Sequence, residues 1–171
     1  MAIQRRTSGK RDTSPDAVTY SIMFKGYGRT GDVVAVDKLM KSVASNHITP
    51  DIVMLNSAID AYVRCEKMDR ARALLQSMIE NSNVDDALCK PNTRTYNTVL
   101  KGLAAEGNID EAMKLSLDMA SLKLHDGVTS NTLVTAAINA GRFNLAEKIL
   151  SSSDSFFGKS FHDRKSCVEA Y

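Results

Sequence analysis

Apolar residues in this chain recur in pairs of helix-length stripes, and the pair itself recurs. Within YNTVLKGLAAEGNIDEAMKL (96–115), Val99, Leu100 and Leu103 stand at i, i+1 and i+4, the spacing of one helix face. Gly107 then interrupts, and Ala112, Leu115 and Met119 form a second stripe. The first copy reads Val18, Ile22 and Met23, then Gly26 and Tyr27, then Val36, Leu39, Met40 and Val43. The second copy closes on Ala71, Leu74, Leu75 and Met78. Aligned on Ser21, Asn56, Asn97 and Asn131, the four copies are offset by 35, 41 and 34 residues. Ten positions after these stand Gly31, Glu66, Gly107 and Gly141; fifteen after them stand Val36, Ala71, Ala112 and Ala146. The pattern predicts helix, tight turn, helix in every unit.

The punctuation agrees with that reading. Gly31, Gly107 and Gly141 suit the left-handed residue that ends a helix. Asp32, Asp69, Asp110 and Asn144 fall at or near the start of the second helix, where they can cap free N–H groups and meet the positive end of the dipole. Small residues at Ala71, Ala112 and Ala146 let paired helices approach, and Pro50 and Pro91 stop one unit and begin the next. A hairpin of this length cannot bury its own apolar face, so the units must stack on one another. The expected layout is a basic segment over 1–15, or the remnant of an earlier repeat, followed by four repeats. These span 16–50, 51–91 with an insertion near 82–90, 92–125 and 126–153. Residues 154–171 follow as a cap or tail, with Phe156, Phe157 and Phe161 as candidates to cover the last open face.

Composition narrows the function. Net charge is +2, so no overwhelming basic signal points to nucleic acid, although residues 1–11 carry Arg5, Arg6, Lys10 and Arg11 with no acid. Cys65, Cys89 and Cys167 lack the spacing of a disulfide framework or a zinc site. No apolar run approaches the ~20 residues of a membrane span. His47, His125 and His162 fall in turns or the tail and read as surface histidines. No phosphate loop, nucleophile elbow or Cys/His dyad is present. Neither enzyme activity, cofactor nor metal is expected.

Two repeat families have this length, and the Trp and Leu-Gly pair of tetratricopeptide repeats are missing. The segments PDAVTYS (15–21), PNTRTYN (91–97), 96–115 and NTLVTAAINAGRFNLAEKIL (131–150) resemble the pentatricopeptide repeat family, of the plain 35-residue type. Leu55 and Ser130 depart from it where Tyr20 and Tyr96 conform. The resemblance implies an all-α, right-handed solenoid of tandem helix-turn-helix repeats that binds single-stranded RNA along the surface of its first helices. One base is then read per repeat by two or three side chains. By the family's pattern the fifth residue of a repeat and its last residue choose the base. Here these are Ser21 with Asp51, Asn56 with Asn92, Asn97 with Asp126, and Asn131 without a clear partner. The second position stacks on the base: Val18, Val53, Arg94 and Val128, the arginine departing from the family's valine. The family's pairings imply a weak guanine preference, a pyrimidine, uracil and a further pyrimidine, or G-Y-U-Y in a pyrimidine-rich target. Lys25, Arg29, Arg64 and Lys101, at spacings of four and eight from the reading residues, are candidate phosphate contacts. The resemblance further implies a chloroplast or mitochondrial location and a part in RNA processing, splicing, stability or translation.

Three alternatives stay open at this stage. The Asn and Asp residues can be mere helix caps. The solenoid can be a scaffold for a protein partner, which the modest charge, Leu55, Arg94 and the methionine-rich surface would favour. The chain can be a fragment of a longer repeat protein. Open end faces also allow a homodimer, and no membrane is expected as a partner.

Overall fold

The structure, a computed structural model, describes residues 15–81 and 89–156, with side chains described as far as Ser151. The basic start, most of the insertion and the proposed phenylalanine cap lie outside those residues. Eight helices form among the described residues: α1 Ala17–Thr30, α2 Val33–Ser45, α3 Ile52–Arg64, α4 Met68–Asn81, α5 Thr93–Ala105, α6 Ile109–Ser121, α7 Gly127–Asn139 and α8 Phe143–Phe156. They pair as four helical hairpins, in register with the sequence repeat.

An Asp or Asn starts each of the four first helices. Asp16, Asp51, Asn92 and Asp126 accept from the backbone N–H three residues on, at 2.8, 2.7, 3.1 and 2.9 Å. Each such cap is worth about 1 kcal/mol. In the second helices Asp32 caps α2 and Asn108 caps α6. Asp69 and Asp110 instead lie one residue inside their helices, where they serve the dipole rather than the cap. The intra-hairpin turn takes the left-handed conformation every time, at Gly31 (φ 71°), Gly107 (73°) and Gly141 (69°), and at Glu66 (57°) in the second repeat. There a side chain bears a strain the glycines avoid.

The first helices form one layer: α1 packs on α3, α3 on α5 and α5 on α7. Each second helix lies on its own partner, and α2, α4 and α6 also reach the first helix of the next repeat. The first-helix layer is therefore the tight side of the stack. Close approach is visible at Gly28, where an added Cβ would lie 2.8 Å from the Ala61 Cα. At Gly102 a Cβ would collide with the Met68 sulfur. Phe24, Met54, Ile59, Leu100, Met119 and Leu133 form the inaccessible centre of one continuous core. The methionines expected at the surface are largely internal: Met54, Met68, Met78 and Met119 are buried. Thioethers fill the uneven space between repeats.

Tyr20 explains why tyrosine is used at its position. Its ring is buried and its hydroxyl reaches the Ser42 hydroxyl and the Asn46 amide, both at 2.9 Å, tying α1 to the end of α2. Leu55 fills the same position by packing alone.

Two neighbouring glycines of α1 separate packing from propensity. Gly28→Ala should destabilise the protein by ~1–3 kcal/mol, because backbone must move. Gly26→Ala meets nothing within 4 Å and should stabilise by about 0.5–1 kcal/mol. Thermal unfolding of the two variants should give Tm changes of opposite sign.

Candidate nucleic-acid interface

The first two turns of each first helix carry a repeated set of exposed and buried positions. Two residues after the cap, Val18, Val53 and Val128 are between 46% and 62% exposed, and Arg94 is exposed in the third repeat. Valine at one surface position in three repeats adds nothing to the core and leaves apolar area in water. Five residues after the cap, Ser21, Asn56 and Asn97 are buried. Asn131 is only half-buried, since no further first helix packs on α7 among the described residues.

The third repeat assembles the most complete arrangement. Asn97 Nδ2 donates to Asp126 Oδ1 at 3.1 Å, and Asn97 Oδ1 accepts from the Thr129 hydroxyl at 2.8 Å. The Thr129 hydroxyl also contacts Asp126 Oδ1 at 2.9 Å, and the Thr129 N–H caps onto the same oxygen. The two members of the expected third reading pair are thus bonded directly to each other. A groove of about 560 Å³ opens over this node, lined by Arg94, Asn97, Thr98, Lys101, Asp126 and Val128, with Asp60, Val63 and Thr93 completing it. Five of the residues expected from the sequence therefore share one cleft. Burial pushes the Asp126 carboxyl up, but hydrogen bonds from the Thr129 N–H, the Asn97 amide and the Thr129 hydroxyl outweigh it and hold the group below its ordinary value. It is an anion at neutral pH.

The other repeats differ in instructive ways. In the second, Asn56 is 7% exposed and its Oδ1 has no hydrogen-bond partner among the described residues. The equivalent of Thr129 is Thr95, whose hydroxyl is engaged both ways with Asn92, donating to Oδ1 at 3.1 Å and accepting from the N–H at 3.0 Å. In the first, Ser21 turns inward and its hydroxyl donates to the Ala17 carbonyl at 2.9 Å. Asp51 caps α3 with no bond to Ser21 recorded, so this pair is looser than Asn97–Asp126.

The cations divide as well. Lys25, Arg29 and Lys101 are exposed. Arg64 is held by Asp60, Nε to Oδ2 at 2.7 Å on the same helix, which blunts its charge. Lys101 also lines a second, smaller groove beside Asn131, Thr132 and Thr135, linking the third and fourth repeats. Sequence reasoning passed over Asp60, Thr98 and Thr129. For Thr129 a signal existed: it stands three residues after its cap, as Thr19 and Thr95 do.

Sequence models for single repeats match 53–83 and 87–119, each described as a PPR repeat, and a model of the pentatricopeptide repeat domain matches 7–65. The chain belongs to the pentatricopeptide repeat family. A chloroplastic pentatricopeptide repeat-containing protein of Arabidopsis thaliana is 31% identical over 109 residues, covering 62% of this chain and 13% of that one. A mitochondrial one from the same plant is 24% identical over 149 residues, or 86% of this chain and 19% of that protein. The chain thus spans less than a quarter of either relative's length. The pentatricopeptide repeat protein PPR10 from maize superposes with a TM-score of 0.72 at 24% identity, over 81% of this chain and 19% of that one. PPR10 in complex with an 18-nt psaJ RNA element gives the same TM-score at 25% identity, over 84% and 20%.

Among the described residues of this pentatricopeptide repeat chain, no helix is long and apolar enough to cross a membrane, and no cluster of His, Cys, Asp or Glu could hold a metal ion. His125 corrects the expectation of surface histidines. It is half-buried beside Asp126, and burial pushes its imidazole down to about 4, with the Asp126 charge working against that shift. The folded state therefore favours neutral His125. Its contribution is complete above the ordinary value of 6.5 and is lost as pH falls toward about 4. Partial solvent access reduces it to on the order of 1 kcal/mol. Tm of the wild type should fall between those pH values by more than that of His125→Gln, measured side by side.

Proposed function

We propose that this chain is a single-stranded RNA-binding module that contacts one base per repeat along its first-helix face. The observation that carries the reading is the bonded Asn97–Asp126 pair in a groove that Val128 and Arg94 also line. A base entering edge-first would meet an amide and a carboxylate that together offer donor and acceptor atoms. Its faces would contact the valine methyls and the guanidinium plane, and such stacking is worth about 1–3 kcal/mol per base. Uracil fits the third repeat, because its N3–H can donate to the Asp126 anion. The orphaned Asn56 Oδ1 supports a second reading position, since a donor from a base would satisfy an acceptor the fold leaves bare. The likeness to PPR10, solved in complex with an 18-nt psaJ RNA element, supports RNA as the ligand. The chloroplastic and mitochondrial relatives support action on organellar RNA, in its processing, splicing, stability or translation.

A protein-scaffold role has one observation in its favour. An apolar groove of about 660 Å³ lies between α4, α5 and α6, with Leu75, Ile79, Leu115 and Leu122 in its lining. It shares no lining residue with the groove over Asn97, so it does not compete with RNA for residues.

Fluorescence anisotropy with short RNAs tests the main reading. A pyrimidine-rich oligomer of the G-Y-U-Y type should bind more tightly than a purine-rich one at low salt, and equal affinity sinks the base-reading claim. Asn97→Ala should weaken binding by roughly 5- to 30-fold, or ~1–2 kcal/mol, and only when the base at the third position is uracil. Lys25, Arg29 and Lys101, the candidate phosphate contacts outside the ion pairs of the described residues, should together contribute a slope of about −2 to log K against log salt. Asn56→Leu should separate stability from binding. It removes a buried unsatisfied acceptor costing ~1–3 kcal/mol, so Tm should rise while RNA affinity drops.

A further inference from the structure

The first and last of the described repeats carry the two halves of the chain's own repeat–repeat interface. At an internal junction, Gly102 of α5 is gripped from the preceding repeat by Met68 and Val63. The residue equivalent to Gly102 in the first repeat is Gly26, where an added Cβ meets nothing within 4 Å among the described residues. The residues equivalent to Met68 and Val63 in the last repeat are Phe143 and Ile138, both exposed, Phe143 at 66%. One end therefore presents a hole and the other presents the knobs.

The polar half of the junction is split in the same way. Internally, Asn97 bonds across to Asp126 and Thr129 of the next repeat. At the amino-terminal end Asp16 and Thr19 already hold the geometry of Asp126 and Thr129, with the Thr19 N–H and hydroxyl both 2.8 Å from Asp16 Oδ1. At the other end Asn131, the equivalent of Asn97, has no following first helix across from it among the described residues. The stripe beneath also matches. Met54, Ala58 and Ala61 of α3, Thr95, Val99 and Gly102 of α5, and Thr129, Leu133 and Ala136 of α7 are all buried against the preceding repeat. Thr19, Met23 and Gly26 are the same positions of α1, and they are exposed.

We infer that this chain binds a second copy of itself head to tail, with Phe143 and Ile138 of one copy closing on Gly26 of the next and Asn131 meeting its Asp16 and Thr19. The contact continues the packing used three times within the chain. It is heterologous, joining a different face of each copy, so it builds a head-to-tail row rather than a symmetric dimer. The junction also supplies the last residue that the fourth reading position lacks: Asn131 gains Asp16 as Asn97 has Asp126. The association itself uses only protein contacts and does not depend on RNA.

Sedimentation velocity on the whole chain, from about 1 to 100 µM, tests the junction without RNA. The wild type should run as a concentration-dependent series. Gly26→Arg fills the hole, and Phe143→Asp removes the knob; both sites are open to solvent, and far-UV circular dichroism checks that each variant folds. Each variant alone should be monomeric. Mixed, they retain one good end of each kind and should form a 1:1 dimer that grows no further. Met23→Glu is a second block of the amino-terminal end and should behave as Gly26→Arg does. A wild type that stays monomeric throughout, single variants that associate as the wild type does, or a mixture that forms no dimer would overturn the proposal.

Discussion

The close stacking of first helix on first helix is the contact on which the remaining features depend. A lone hairpin of two short helices leaves its apolar stripe in water, and only a neighbour can cover it. Small residues set how near that neighbour comes: Gly28 against Ala61, and Gly102 beneath Met68. At this separation the start of one first helix lies within hydrogen-bond reach of the middle of the one before it. Asn97 and Asp126, 29 positions apart in sequence, are 3.1 Å apart in space for that reason alone. The groove over them is a by-product of the packing distance.

Polar atoms are handled differently from repeat to repeat, and the differences have identifiable causes. Asp126 concentrates its bonds on Oδ1, so burial does not neutralise it. Asn92, an amide at the same position, keeps Thr95 to itself, and the preceding Asn56 is left short of a donor. In these two junctions the carboxylate cap accompanies a fully bonded asparagine and the amide cap one with an unmet acceptor. A rigid group selects by shape and charge, whereas an unmet one favours whatever ligand brings a donor.

Much of this was legible in the sequence, because repetition supplies its own comparison. Four copies aligned on Ser21, Asn56, Asn97 and Asn131 located the helices, the turn glycines and the recurrent valine. The capping role and the reading role of Asp51, Asn92 and Asp126 looked like rival explanations at that level. The structure makes them compatible, since one carboxylate of Asp126 caps α7 and holds Asn97 together. Other features were out of reach. Asp60 neutralises Arg64 through a rotamer choice, and a spacing of four residues allows that bond without requiring it. The inward turn of Ser21 and the burial of His125 depend on what neighbouring helices cover. Methionine was misread because its content says nothing of its side; in this stack it fills the seams.

The double duty of the cap limits how the site can change over time. Any residue placed at position 51, 92 or 126 must first begin a helix, and only Asp, Asn, Ser, Thr and Gly do that well. A substitution outside this group would loosen α3, α5 or α7 before it altered contact with any ligand. Under the proposed RNA-binding role, the residues open to these positions are limited by folding before any ligand is met, and new specificities are confined to the few that keep the helix intact.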